Sequence, residues 1–134
     1  MSKLIEVEGI GEAFAKKLIA CGIKSTNGLL KDGASAKGRK LIAEKSGISE
    51  KIILEWVNHI DLFRVKGVGG QYADLLEEAG VDTVVELAQR NPDSLHQKLQ
   101  AVNAERQLVR KLPTVYQVRN WIKQAAGLPK VVSH

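Results

Sequence analysis

Two stretches of the sequence carry the same pattern of glycines and apolar residues. VEGIGEAFAKKL begins at Val7 and VKGVGGQYADLL begins at Val65, a shift of 58 residues. At this shift Gly22 also falls on Gly80, whereas the charged residues do not keep their places. Glycines and apolar positions decide turns and cores, so the pattern indicates two copies of one small structure.

The second copy is longer than the first. Trp56 corresponds best to Trp121, a shift of 65, so about seven additional residues enter the second copy. We expect repeat one to cover about residues 3–61 and repeat two about residues 62–128, packed as one compact domain over residues 1–134. A chain of this length buries a core without disulfides or metal ions.

The first copy shows apolar residues at helical spacing. They predict a helix over residues 12–21 and further helices over 25–31, 36–45 and 50 to about 62. Ser49 is a natural N-cap for the last of these.

The second copy carries proline signals for helix boundaries. Asn91 is a predicted N-cap with Pro92 at the first helical position, where proline is tolerated. Pro113 is predicted to end one helix, and Thr114 to cap a final helix that runs to residue 126. No stretch alternates between apolar and polar residues over a sustained length, so the predicted fold class is all-α.

A Gly-apolar-Gly turn between two helices has two uses. Glycine permits the backbone angles of a tight turn, and the apolar residue between can face the core. The same turn leaves the first amides of the next helix unpaired, at the positive end of its dipole. A phosphate group fits there, and backbone donors read no base. Tight-turn geometry alone also explains the glycines, so both interpretations stay open at this point.

The two stretches resemble the helix-hairpin-helix motif, apolar-x-Gly-apolar-Gly-x-x-x-Ala-x-x-apolar. Two such copies about a pseudo-twofold axis resemble the double helix-hairpin-helix domain. The wider pattern, including LPTVYQVRNWIKQAAG, is similar to a bacterial helix-hairpin-helix family catalogued as a domain of unknown function, over about residues 3–128. The resemblance implies an all-α fold of two tandem helix-hairpin-helix repeats packed as one compact domain.

The resemblance also implies a function. Hairpin amides of this motif family grip the DNA backbone across the minor groove without sequence preference, often with a monovalent cation held by hairpin carbonyls. Carried over to this sequence, the gripping positions are Gly9, Ile10 and Gly11 in the first copy, and Gly67, Val68, Gly69 and Gly70 in the second. The supporting cations are Lys16, Lys17, Arg64 and Lys66.

The sequence departs from the pattern next to the second glycine of each hairpin. Many DNA-gripping hairpins have a lysine or arginine there, but this chain has Glu12 in the first copy and Gly70 in the second. Glu8 also flanks the first hairpin, and its charge repels a phosphate. The second hairpin, with Arg64 and Lys66, is therefore the better predicted phosphate binder.

Positive charge concentrates at the carboxyl-terminal end of the sequence. The net charge is +5, and residues 101–134 carry six Lys or Arg against one acidic residue. Arg119 and Lys123 are four residues apart on the last predicted helix, so they share a face and join the candidate binding residues. The other basic clusters are Lys37, Arg39 and Lys40, and Arg106, Arg110 and Lys111, with Arg106 and Arg110 expected on one helix face.

The remaining notable residues indicate packing rather than chemistry. Trp56 and Trp121 lie in apolar helical surroundings and are expected in the core. Cys21 corresponds to Ala79, so we expect a small core residue. The histidines have no second ligand at metal-site spacing, and no catalytic constellation or phosphate loop is present. We therefore expect no catalytic activity, no metal site built from side chains and no small-molecule substrate, and no cofactor apart from the monovalent cation that the resemblance implies at a hairpin.

The predicted function is non-catalytic, sequence-independent binding of nucleic acid, with double-stranded DNA as the expected partner. The alternative is a protein–protein interaction scaffold, in which the acidic flanks of the hairpins form part of the binding surface. The longest apolar run is too short for a membrane helix, so no membrane partner is expected. A lone cysteine fits a reducing compartment, and we expect a cytoplasmic protein.

Overall fold

Capping residues and glycines divide the chain into short helices. In the computed structural model, which describes residues 3–134, these residues form helices and no strand, and the predicted all-α class is confirmed. No helix in this range is both long and apolar enough to span a bilayer. A 3-10 helix, Leu4–Glu6, precedes the α-helices, which are α1 (Glu12–Ala20), α2 (Thr26–Asp32), α3 (Ala36–Ser46), α4 (Glu50–Leu62), α5 (Gly70–Glu78), α6 (Val84–Ala88), α7 (Pro92–Arg106) and α8 (Val115–Ala126).

The chain divides into two compact units. The first contains residues 3–61 together with the segment Val131–His134, and the second contains Leu62–Lys130. Packing of both as a single domain stays a prediction.

Serines and a glycine set helix boundaries in the first unit. The Ser25 hydroxyl accepts from the Gly28 amide at the start of α2, and the Ser35 hydroxyl accepts from the Gly38 amide at the start of α3. Gly47 ends α3 with φ of 77°, a left-handed conformation that glycine adopts at little cost. The apolar faces of these helices bury a core that includes Leu18, Leu29, Ile53, Trp56 and Val57.

The second unit is built around α8. This helix packs against α6 and α7, and α5 packs against α7. Asn91 caps α7 with Pro92 at its first position, as predicted, and Thr114 and Gln117 form a reciprocal capping box at the start of α8. The core includes Leu76, Leu87, Leu95, Leu99 and Trp121.

The predicted helix end at Pro113 is wrong. Helix α7 ends at Arg106, and Gln107 follows with a left-handed φ of 52°. The Asn103 side chain binds the backbone of Val109 twice, with its amide group donating to the carbonyl at 3.0 Å and accepting from the N–H at 2.9 Å. This local pairing replaces helical hydrogen bonds, so Arg110 lies outside any helix and shares no helix face with Arg106.

The predicted basic cluster at residues 37–40 is wrong for Arg39. Only 4% of Arg39 is exposed, and its guanidinium donates to the carbonyl oxygens of Gly33 and Ala34 at 2.9 and 3.1 Å. Burial lowers the pKa of Arg39 from its ordinary value, and the charge of Glu50 opposes that shift. Arg39 is therefore a structural residue, whereas Lys37 and Lys40 are exposed.

The predictions for the aromatic and cysteine residues have different outcomes. Trp56 and Trp121 are 3% and 2% exposed, which confirms them as core residues. Cys21 is half-buried rather than part of the core, whereas its counterpart Ala79 is fully buried.

Candidate nucleic-acid interface

Two glycine turns precede α1 and α5. We call residues 7–11 turn 1 and residues 65–69 turn 2. Each is closed by a backbone hydrogen bond, from the Ile10 amide to the Val7 carbonyl at 3.0 Å and from the Val68 amide to the Val65 carbonyl at 3.1 Å. Ile10 and Val68 are buried, as predicted for the apolar residue between the glycines.

The first glycine of each turn is required by the fold. Gly9 and Gly67 have φ of 91° and 95°, a left-handed region that other residues rarely adopt. A Cβ atom added at either position would lie 3.2 Å from the indole Nε1 of the tryptophan behind it, Trp56 or Trp121. These two glycines are explained by turn geometry and close packing alone.

The tryptophans support the turns from inside. Trp56 packs edge-on against Phe14 with 5.1 Å between ring centroids, and Trp121 packs against Tyr72 at 5.2 Å. The same aromatic pair thus lies behind each turn, and both tryptophans are unavailable for stacking on bases.

The second glycine of each turn is not required by the fold. Gly11 and Gly69 are the N-caps of α1 and α5, and their backbone is extended, with φ of −86° and −98°. Any residue adopts these angles. An added Cβ would meet no atom of the described residues within 4 Å at either position.

The amides at these helix starts are open. Within residues 3–134, no side chain makes a capping hydrogen bond at Gly11 or Gly69. The helical hydrogen bonds begin with Ala15 to Gly11 and Ala73 to Gly69, so the preceding amides have no acceptor within the helix. Each turn therefore presents backbone donors at the positive end of a helix dipole, beside a position with no side chain.

A basic groove lies beside turn 2. It has a volume of about 480 Å³, and Arg64, Lys66 and Lys123 contribute its charges. No acidic residue is among the lining residues, all of which belong to the described part of the chain. Its uncharged lining residues are Asn120, Gln124, Gly127 and Leu128.

Helix α8 holds turn 2 through Gln124. The side-chain carbonyl of Gln124 accepts from the Lys66 amide at 2.9 Å, and its NH₂ group donates to the Lys66 carbonyl at 3.1 Å. Arg64 donates from Nη2 to the Pro129 carbonyl at 2.8 Å. These contacts bring Lys123, which is 57 positions beyond Lys66 in the sequence, to the same groove as Lys66 and Arg64.

Gln124 is a residue that the sequence analysis missed. It lies on the polar side of a predicted helix, where nothing distinguishes it from any solvated glutamine.

The other predicted cations lie elsewhere. Arg119 is exposed beside the Tyr116 ring, 5.8 Å from its centroid, and does not line the basic groove. In the first unit, Lys16 lies 4.0 Å from the Glu12 carboxylate in an exposed pair, and Lys17 lies 5.8 Å from the centroid of the Phe14 ring. Gly70 is the first residue of α5 and is half-buried.

The two turns differ in charge. Glu6, Glu8 and Glu12 are all exposed around turn 1. The first turn of α5 carries no acidic residue; Asp74 lies in the middle of the helix, and Glu77 and Glu78 lie at its end, where Glu78 pairs with Arg106 at 3.2 Å. Turn 2 therefore offers a phosphate a more favourable electrostatic environment than turn 1.

Comparison with known proteins defines the family but offers no described relative. No curated protein and no solved structure matches the chain. The profile of a domain of unknown function, DUF4332, matches residues 8–128, which include both glycine turns and the basic groove. The chain belongs to the DUF4332 family.

Proposed function

We propose that the protein binds double-stranded DNA without sequence preference, and that the two glycine turns are helix-hairpin-helix motifs. The observation that carries the proposal is Gly69: the fold does not require glycine there, and the open amides at the start of α5 follow a turn whose Lys66 lines the basic groove. A glycine at that place lets a phosphate oxygen approach the amides closely.

Each part of the site has a defined task in this mechanism. The amides at the start of α5 donate to one phosphate, and Arg64, Lys66 and Lys123 neutralise neighbouring phosphates. None of these groups reads a base edge, so the contacts position the protein without sequence information. Release of condensed counterions supplies most of the binding free energy, and about three neutralised phosphates give a slope of log K against log salt of about −2.7.

Turn 1 contributes less to binding in this mechanism. Its amides are open, but an exposed carboxylate a few ångströms from a phosphate costs about 1 kcal/mol in water. Three such residues, Glu6, Glu8 and Glu12, surround turn 1. We assign the principal DNA contact to turn 2.

Charge reversal in the groove tests the proposal. The measurement is fluorescence anisotropy of a labelled duplex of about 20 base pairs at several salt concentrations. We expect the double variant Lys66→Glu/Lys123→Glu to lose at least about tenfold in affinity and to show a slope shallower by about two. Two duplexes of unrelated sequence should bind wild type equally.

The control is Lys98→Glu/Lys37→Glu, which makes the same change in net charge at exposed lysines outside the groove. We expect it to change affinity less than about threefold. Equal losses in both double variants would contradict the assignment to the groove, and absence of duplex binding by wild type at low salt would contradict DNA binding itself.

A second candidate function is a protein–protein scaffold that uses the surface around turn 1. Ile5, which lies just before turn 1, is 61% exposed, and Glu6 and Glu8 follow it within three positions of the sequence. An exposed apolar residue with acidic neighbours suits a basic protein partner. In this case Ile5→Ser would abolish recovery of a specific partner in affinity purification, while the groove double variant would retain it.

A further inference from the structure

The segment Val131–His134 returns to the first unit. It belongs to that unit by its contacts, although the preceding residues 62–130 form the second unit. It has no regular secondary structure and lies beyond the family match, which ends at residue 128. We call it the return segment.

The return segment is bound through its main chain. The Ser133 amide donates to the Ala34 carbonyl at 2.8 Å, and the Ser133 carbonyl accepts from Arg39 Nη2 at 2.7 Å. The Ser133 hydroxyl is 3.3 Å from the same Ala34 carbonyl, and His134 Nε2 is 3.1 Å from Asn58 Oδ1. Both main-chain groups of one residue are thus satisfied by the first unit.

The residue before Ser133 is apolar and buried. Val132 is 3% exposed, whereas Val131 is 36% exposed. The alternation of an exposed, a buried and an exposed residue is that of an extended strand held on one face. Burial of Val132 adds an apolar preference to the main-chain recognition.

The site that receives the segment is held in place by its own contacts. Arg39 Nη1 binds the carbonyls of Gly33 and Ala34, which orients Nη2 without help from the return segment. A Cβ added at Gly33 would lie 2.7 Å from Val57 Cγ2, so the loop between α2 and α3 is packed closely against α4. A buried, oriented guanidinium is a preformed donor site for a carbonyl oxygen.

We propose that the loop between α2 and α3, with Arg39, is a binding site for an extended peptide segment, and that the return segment is its resident occupant. The site selects a buried apolar residue followed by a residue with a free N–H and carbonyl. The inference is independent of the proposed DNA contact at turn 2, because it uses only the first unit, whereas the basic groove belongs to the second. Because the occupant belongs to the same chain, its binding is intramolecular, so it excludes competing peptides of modest affinity.

The test supplies the occupant as a separate peptide. Val132→Asp in the full chain is expected to expel the return segment, because burying an unpaired carboxylate at this position is costly. The probe is a fluorescein-labelled peptide LPKVVSH, the sequence of residues 128–134. We expect anisotropy to show binding to V132D that is at least about tenfold tighter than binding to wild type, whose own segment competes.

The matched control is the same peptide with Ser133→Pro, which removes the N–H that binds Ala34. It should bind V132D at least about tenfold more weakly than the natural peptide. A V132D protein with wild-type helical circular dichroism that binds neither peptide, or both equally, would overturn the proposal. So would wild type that binds the peptide as well as V132D does.

A second measurement needs no variant and stands if V132D does not fold. Hydrogen exchange followed by NMR in the wild-type chain reports the Ser133 amide directly. We expect exchange at least about tenfold slower than the intrinsic rate for this sequence, because the amide is hydrogen-bonded in the occupied site. Exchange at the intrinsic rate would overturn the proposal.

Discussion

At the scale of single residues, the two glycines of each turn are present for different physical reasons. Gly67 has a left-handed backbone, and a Cβ there would crowd Trp121, so the fold accounts for the glycine. Gly69 has an extended backbone and open space, so the fold tolerates a side chain there. The motif therefore combines one structural glycine with one glycine that leaves room for a ligand.

Serine substitutions separate these two roles. Gly67→Ser should lower the free energy of unfolding by about 1–3 kcal/mol, because serine is strained at a left-handed φ. Gly69→Ser should leave it within about 0.5 kcal/mol of wild type or raise it, because serine is a favourable N-cap. Urea unfolding measures both, and a loss of stability in Gly69→Ser as large as that in Gly67→Ser would contradict the distinction.

Arg39 is a second residue whose structural role can be tested by a single substitution. Its two Nη atoms reach three carbonyl oxygens, a geometry that the single ammonium of lysine does not reproduce. We expect Arg39→Lys to lower the free energy of unfolding by about 2–4 kcal/mol, since buried acceptors lose their donors. The neighbouring Lys40→Arg is the control, and urea unfolding should show it within about 0.5 kcal/mol of wild type.

At the scale of elements, α8 carries both the core and the basic groove. Trp121 faces the core behind turn 2, while Lys123 and Gln124 line the groove. The Gln124 side-chain amide makes two hydrogen bonds to the backbone of Lys66, one as a donor and one as an acceptor. Helix and turn therefore form one rigid support for the cations.

A graded series at Gln124 tests this support. Gln124→Glu keeps the acceptor for the Lys66 amide but loses the donor to the Lys66 carbonyl, and Gln124→Ala loses both. We expect losses in stability of about 0.5–1 and 1–2 kcal/mol respectively. Hydrogen exchange of the Lys66 amide should accelerate more in Gln124→Ala, and equal exchange in all three proteins would contradict the support role.

The helix boundaries show which features of the fold can be predicted from the sequence. Helix starts were predictable, because capping serine, threonine and asparagine act on amides three residues away. The end of α7 could not be predicted, because the pairing of Asn103 with Val109 depends on a loop conformation that the spacing of apolar residues does not reveal. Pro113, the visible signal, lies seven residues beyond Arg106, the last residue of α7.

The candidate site also contains one part that could be predicted from the sequence and one part that could not. Turn 2, Arg64 and Lys66 are contiguous, so they were predictable as a group. Lys123 lies in the same groove, whereas Arg119 does not. This difference depends on how α8 packs, which is a tertiary contact between residues far apart in sequence. Arg39 was misjudged because a charge in a polar stretch ordinarily indicates solvent, and only its carbonyl partners reveal burial.

At the scale of the whole molecule, the two glycine turns share geometry but not charge. Both turns have a left-handed first glycine, an open second glycine and an aromatic pair behind them. Only turn 2 adjoins the basic groove, and turn 1 is surrounded by exposed glutamates. This difference in charge supports the proposal that turn 2, rather than turn 1, is the principal phosphate contact.

The most direct measurement of the central claim is duplex binding by Gly69→Asp beside Gly11→Asp. Aspartate is a favourable N-cap, so both variants should keep or gain stability, but its carboxylate occupies the amides that a phosphate would use. By anisotropy with a duplex of about 20 base pairs, Gly69→Asp should lose at least about tenfold in affinity and Gly11→Asp less than about threefold. If Gly69→Asp binds the duplex as tightly as wild type does, the start of α5 is not the DNA contact.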